Sequence, residues 1–156
     1  MQSKTLEIIN ISALSFLFII LACIFTACED DYTDIKTLEN TGRVVINEIK
    51  IDDEQSKLEI ETYLSTCLSG CSVDIEATCK AVVNDNEIRI TASGSYRETL
   101  HGDCNDEKAR MVPDCETVPL EHNLYSITYG NNEGAFETGI DAGTLHLGKL
   151  DNCVSE

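Results

Sequence analysis

From Lys57 to Tyr96 the chain reads as three strands in which apolar and polar side chains alternate with a period of two, a pattern that fits half-buried strands and no helix. Leu58, Ile60, Thr62 and Leu64 share one face against Glu59, Glu61 and Ser65. Val73, Ile75, Ala77, Cys79, Ala81 and Val83 then oppose Asp74, Glu76, Thr78 and Lys80. Ile88, Ile90, Ala92, Gly94 and Tyr96 oppose Arg89, Thr91, Ser93 and Ser95. Each strand therefore buries one side only.

A slip of one residue would turn every apolar side chain to water, so the faces and turns together predict the register. A two-residue turn at Asp85-Asn86 sets Val83 opposite Ile88, Ala81 opposite Ile90, Cys79 opposite Ala92 and Ile75 opposite Tyr96. A similar turn at Ser69-Gly70 sets Leu64 opposite Ile75, Ile60 opposite Cys79 and Leu58 opposite Ala81. Gly, Asn and Asp tolerate the positive φ of tight hairpin turns, so a three-stranded meander is expected. Further strands are expected at 43–51, 124–130 and 144–150, and 97–118 reads as a long loop pinned by cysteines.

The N-terminus has the build of a secretory signal, with Lys4, an apolar run through Ile19-Ile20-Leu21 and small residues before a cysteine. Two cysteines, Cys23 and Cys28, sit where cleavage could fall, and the cysteine count chooses between them. Cleavage before Cys28 leaves Cys67, Cys71, Cys79, Cys104, Cys115 and Cys153 for pairing, an even set suited to an oxidising compartment. Phe25-Thr26-Ala27-Cys28 resembles the lipobox of bacterial lipoproteins, with Phe25 where Leu is usual. That resemblance implies a signal peptide over residues 1–27 and lipid, palmitate included, on Cys28. Glu29-Asp30-Asp31 resembles the acidic export signal that carries lipoproteins of Bacteroidota-type bacteria to the outside of their outer membrane; a periplasm-facing lipoprotein, retained at the inner membrane as acidic residues after the cysteine can direct, is the alternative. Residues 28–41 are polar and read as an acidic flexible tether to a domain at 42–156.

Leu120, Tyr125 and Ile127 stand at the spacing of a tyrosine corner, and the segment resembles that of immunoglobulin-like and fibronectin-III-like sandwiches. The resemblance implies a hydroxyl bonded back to upstream backbone. Ile127 holds the position of the second antibody-type cysteine and the chain has no Trp, so an antibody-type inter-sheet disulfide is not implied. The expected fold is all-β: a small antiparallel β-sandwich with disulfides, preceded by an apolar signal helix.

Six cysteines allow fifteen pairings. Cys71 and Cys79 on one strand would stand about 26 Å apart, out of disulfide reach. Cys104 with Cys115 would close the unpatterned loop, and Cys153 bonded to one of the hairpin cysteines would stop the chain end from fraying. No Cys-x-x-Cys occurs, which argues against zinc. Asp103, Asn105, Asp106 and Glu107 offer oxygen ligands for calcium without the regular loop spacing, so no cofactor is expected.

His101, His122 and His146 have no nucleophile motif beside them, and no phosphate-cradling glycine loop is present. An enzyme is therefore not expected. The net charge of −17 repels nucleic acid and anionic headgroups, so contact with the membrane falls to the N-terminal lipid. What remains is a binding or adhesion module for an extracellular protein or glycan, or a protease-inhibitor-like domain using the 97–118 loop with Arg97, Lys108, Arg110 and Met111 as anchors.

Overall fold

The computed structural model describes residues 32–100, 104, 108–140 and 143–153. Residues 1–27, read above as a signal peptide, Cys28, His101 and the calcium candidates Asp103, Asn105, Asp106 and Glu107 lie outside the described residues. The described chain is all-β, with twelve strands and no helix among the described residues. They are β1 (Lys36–Glu39), β2 (Arg43–Lys50), β3 (Gln55–Tyr63), β4 (Cys67–Leu68), β5 (Ser72–Asn84) and β6 (Glu87–Glu98). Then follow β7 (Ala109–Arg110), β8 (Asp114–Glu116), β9 (Leu120–Glu121), β10 (Leu124–Tyr129), β11 (Asn132–Glu137) and β12 (Leu145–Gly148).

Strand β6 organises the first five-stranded sheet. β5 pairs along its whole length, from Ser72↔Glu98 to Asn84↔Glu87, and so fills one edge. The other edge is shared: β1 takes Tyr96 to Ser93, and β10 runs parallel to β6 along Glu87 to Ile90. β11 completes the sheet beyond β10. In the second sheet β3 is interior, with β2 and then β12 on one side and the short β8 and β9 on the other. β4 and β7 form a separate ribbon.

The hairpin at Asp85-Asn86 has the expected register: Val83↔Ile88, Ala81↔Ile90 and Cys79↔Ala92 are partners, and Asp85 takes a φ of 52°. Farther out the register changes. Val73 pairs with Arg97 and Glu76 with Ser95, so Asp74 and Ile75 together face Tyr96. This two-against-one bulge, with Asp74 at φ 50°, leaves Ile75 48% exposed and replaces the expected Ile75–Tyr96 pair.

Three other expectations are corrected. β3 does not pair with β5, because Leu58, Ile60 and Leu64 are fully buried and β3 has both edges occupied within the other sheet. The antiparallel rule has one exception, the parallel β6–β10 pair. The tether read over residues 28–41 is paired with the sheet from Tyr32 onward: Tyr32 bridges Thr99, the Thr33 amide donates to Glu98 O at 2.9 Å, and β1 follows.

The inner faces of the two sheets share one core. Val44, Ile46, Leu58, Ile60 and Leu64 come from one sheet and Ile88, Ile90, Ile127 and Tyr129 from the other, all at most 1% exposed. The sheets also meet at their margins. The Leu147 side chain lies over Gly134, where an added Cβ would come within 2.7 Å of its Cδ2, so β11 and β12 approach closely. On the opposite margin Cys79 of β5 is bonded to Cys115 of β8. The remaining pairs are Cys67–Cys153 and Cys71–Cys104. Cys153 thus joins a cysteine of the hairpin region, whereas the expected Cys104–Cys115 bond is not formed. Cys115 faces inward beside Ile60, on the side where Cys79 lies.

Tyr125 donates from its hydroxyl to Glu121 O at 3.0 Å, the hydrogen bond that the Leu120-Tyr125-Ile127 spacing anticipates. Tyr129 is fully buried and donates to Thr41 O at 2.7 Å. Burial pushes its hydroxyl up to about 12. The folded state keeps this proton where the unfolded chain releases it, so Tyr129 adds alkaline sensitivity. Its contribution is intact below about pH 10 and is lost as pH rises through 12, amounting to about 2–3 kcal/mol. Tyr129→Phe is expected to be about 1 kcal/mol less stable than wild type near neutrality and the more stable of the two above about pH 12. Urea midpoints along a pH series check the crossover; parallel curves would contradict it.

Candidate functional site

Within 97–118 the described residues are 97–100, 104 and 108–118. Met111 is 3% exposed and belongs to the core. Arg110 in β7 donates through Nη1 to Leu64 O and Ser65 O, at 3.2 and 2.8 Å, and through Nη2 to Asp151 O. With Cys67 bonded to Cys153 nearby, the guanidinium ties the chain end to the 64–65 corner. Arg97 pairs with Val73 at the end of β6, and Lys108 is exposed and engaged. The sequence pattern missed this because a two-residue strand has no detectable period. Two of the four proposed anchors therefore hold the fold together.

The histidines divide similarly. His146 is exposed on the outer face, beside Val45. His122 Nε2 stands 3.4 Å from Ser56 Oγ, a pairing across 66 residues that no local motif could signal. Ser56 is fully buried, so its hydroxyl meets no substrate and the pair is structural. Among the described residues no group of three or more His, Cys, Asp or Glu side chains could hold a metal ion.

The outer face of the β5–β6–β1 sheet offers more. Side chains leaving β6 on this face are short in the middle, at Thr91, Ser93 and Ser95, while β5 and β1 rise beside them with Glu76, Thr78 and Lys80 and with Thr37 and Glu39. The result is a trough floored by hydroxyls. Two adjoining hollows, of about 200 and 550 Å³, share Glu39, Thr78 and Ser93. A third, of about 340 Å³, continues past Asn40 to Arg89, Thr128 and Glu133.

Asn40 shapes the middle of this trough. At φ 48° it ends β1, yet it carries the ladder on: its amide donates to Ala92 O at 2.7 Å and its Oδ1 accepts from the Ala92 amide at 2.9 Å. Gly130 follows β10 at the same place, where an added Cβ would come within 2.7 Å of Asn40 O. The wall is therefore low beside Thr91. Thr78 Oγ1 and Ser93 Oγ are hydrogen-bonded at 2.9 Å.

The charged groups along the trough are unspent. Glu39, Glu76, Glu133, Lys80 and Arg89 make no side-chain hydrogen bond or ion pair among the described residues. The hollow of about 500 Å³ on the other sheet differs, since Glu48 already accepts from the Gly139 amide and Thr144 is bonded to Asn47, each at 2.7 Å. The trough can thus offer acceptors, donors and dual-role hydroxyls to a polar ligand. Alternation located the polar faces of β5 and β6; the wall supplied by β1 could not be foreseen in a stretch read as tether.

Fold and trough define a disulfide-linked all-β domain with a polar groove across one sheet. The chain matches no family model, no curated protein and no solved structure.

Proposed function

We propose that this is a lipid-anchored envelope protein whose domain is a non-catalytic binding module and takes its ligand in the β5–β6–β1 trough. The observation that carries the reading is the set of unpartnered charged side chains, Glu39, Glu76, Lys80, Arg89 and Glu133, around hollows on one sheet face, since surface side chains with no internal partner are free to meet an external one. Anchoring at Cys28 is supported by the lipobox-like residues and by the six further cysteines, which are bonded in three pairs as an oxidising compartment permits. The acidic residues after Cys28 favour the outer face of an outer membrane. An immunoglobulin-like or fibronectin-III-like sandwich is the finer reading of the two sheets, supported by the Tyr125–Glu121 hydrogen bond.

Two measurements test it. Cells expressing the wild type incorporate labelled palmitate into the chain and Cys28→Ala does not; label persisting in the variant would refute the anchor. The wild type captures an envelope component that Ser93→Trp, which fills the trough, captures at least tenfold less. Equal capture by both would move the site elsewhere.

A further inference from the structure

We infer that the trough takes a neutral polyhydroxylated chain, an oligosaccharide or the exposed run of a polysaccharide; this rests on the binding-module reading and adds the ligand's class. Shape limits the choice first. From Arg89 to Ser95 the floor is seven residues of one strand, six steps or about 20 Å, longer than a single sugar or amino acid. The floor is also an interior strand, with β5 on one edge and β1 and β10 on the other. A peptide adding itself as a strand needs an open sheet edge; the floor strand β6 offers none, and the open edges of β5 and β1 lie outside the trough. An occupant must therefore be read through side chains.

Charge narrows it further. The chain as a whole carries −17, yet the trough sets Glu39, Glu76 and Glu133 against Lys80 and Arg89. This near-balance draws neither a polyanion nor a polycation. A basic partner would be drawn instead to the other sheet, where β3 and β8 place Glu59 directly opposite Glu116 and Glu61 opposite Asp114. Hydrogen-bond capacity completes the match. Sugar hydroxyls both donate and accept, as do Thr37 and Ser95, and Thr91 can accept while its proton goes to Lys80 O at 3.4 Å; the carboxylates accept from vicinal hydroxyls and the cations donate to ether and hydroxyl oxygens. Among the described residues no aromatic side chain lines the three hollows, so selectivity rests on hydroxyl pattern and not on stacking.

The test is affinity electrophoresis of the full-length protein in detergent through gels carrying a soluble β-glucan, an α-mannan or a galactomannan, with polygalacturonate and a poly-lysine peptide as charged comparators. At least one neutral polymer is expected to retard the wild type. Ser93→Trp should weaken that retardation at least tenfold. Because a bulky substitution could perturb the sheet, Glu39→Gln with Glu76→Gln, nearly isosteric at exposed positions, serves as the second variant and should weaken it about tenfold by removing charge-assisted acceptors. Both variants are checked for wild-type melting and non-reducing mobility. The inference fails if no neutral polymer retards the wild type, if both variants bind as the wild type does, or if a charged comparator binds the trough more tightly. Parallel capture from envelope extracts separates the two failures. Trough-dependent capture without glycan binding overturns the ligand class alone, whereas absence of both overturns the module as well.

Discussion

Cys79→Ser combined with Cys115→Ser is expected to lower the unfolding free energy by about 3–4 kcal/mol, the loop-entropy value for its separation of 36 residues. Chain entropy alone would rank the Cys67–Cys153 bond higher, at about 4–5 kcal/mol for a separation of 86 residues. The native state reverses that order. Without Cys67–Cys153 the chain past Asp151 is free to fray, which returns entropy to the folded state, while Arg110 still holds Asp151 and limits the loss. Nothing comparable is released at Cys79 and Cys115. Both are half-buried against the core, where they join β5 of one sheet to β8 of the other, so cutting the bond opens a margin of the core to water. Urea denaturation of the two paired variants without reductant gives the ranking, and a less stable Cys67→Ser, Cys153→Ser protein would contradict it.

Gly42→Ala is expected to cost about 3 kcal/mol or more, or about 10 °C in melting temperature for a domain of this size. Gly42 has a φ of 92°, and a Cβ there would collide with Tyr63 O while standing 2.9 Å from the Ser65 amide nitrogen. These are backbone atoms, and they cannot step aside. The Leu64 amide donates to Met111 O at 3.1 Å, and Arg110 holds the carbonyls of Leu64 and Ser65. Gly143 gives the comparison, with a φ of 77° and no atom within 4 Å of the added Cβ. Gly143→Ala should lose only about 1 kcal/mol for the left-handed backbone. Thermal melts of both variants measure the difference, and equal losses would show that conformation alone matters at Gly42.

Local features were the legible part of this fold. The turn at Asp85-Asn86 ties β5 to β6, and side-chain alternation then specifies which of their faces is apolar. β2, β10 and β12 declare themselves the same way, and Tyr125 finds its acceptor four residues upstream. What alternation does not encode is the identity of a strand's distant neighbour. Leu58, Ile60 and Leu64 would suit β5 as well as they suit β2, because either partner leaves the same face apolar. The decision rests on the short β8 and β9, which have no period to read. Pairing Cys104 with its nearest neighbour in sequence failed for a related reason: the sheet margins, set by long-range topology, bring Cys115 to Cys79 and leave Cys104 to Cys71. The trough was half visible, as a run of hydroxyls on β6. Its wall came from β1, whose four residues look like tether until β6 supplies an edge for them.

The order of the three disulfides bears on how the chain acquires them. No bond joins cysteines that are consecutive in sequence: Cys67 waits for Cys153, Cys71 for Cys104 and Cys79 for Cys115. An oxidant acting on thiols as they emerge, N-terminus first, would link Cys67 to Cys71 and Cys79 to Cys104. Those links must be undone by thiol–disulfide exchange, or avoided by oxidation after the sheets have formed. Maturation of this small domain is thus paced by the arrival of Cys153, and a host that oxidises quickly without an isomerase should accumulate scrambled protein.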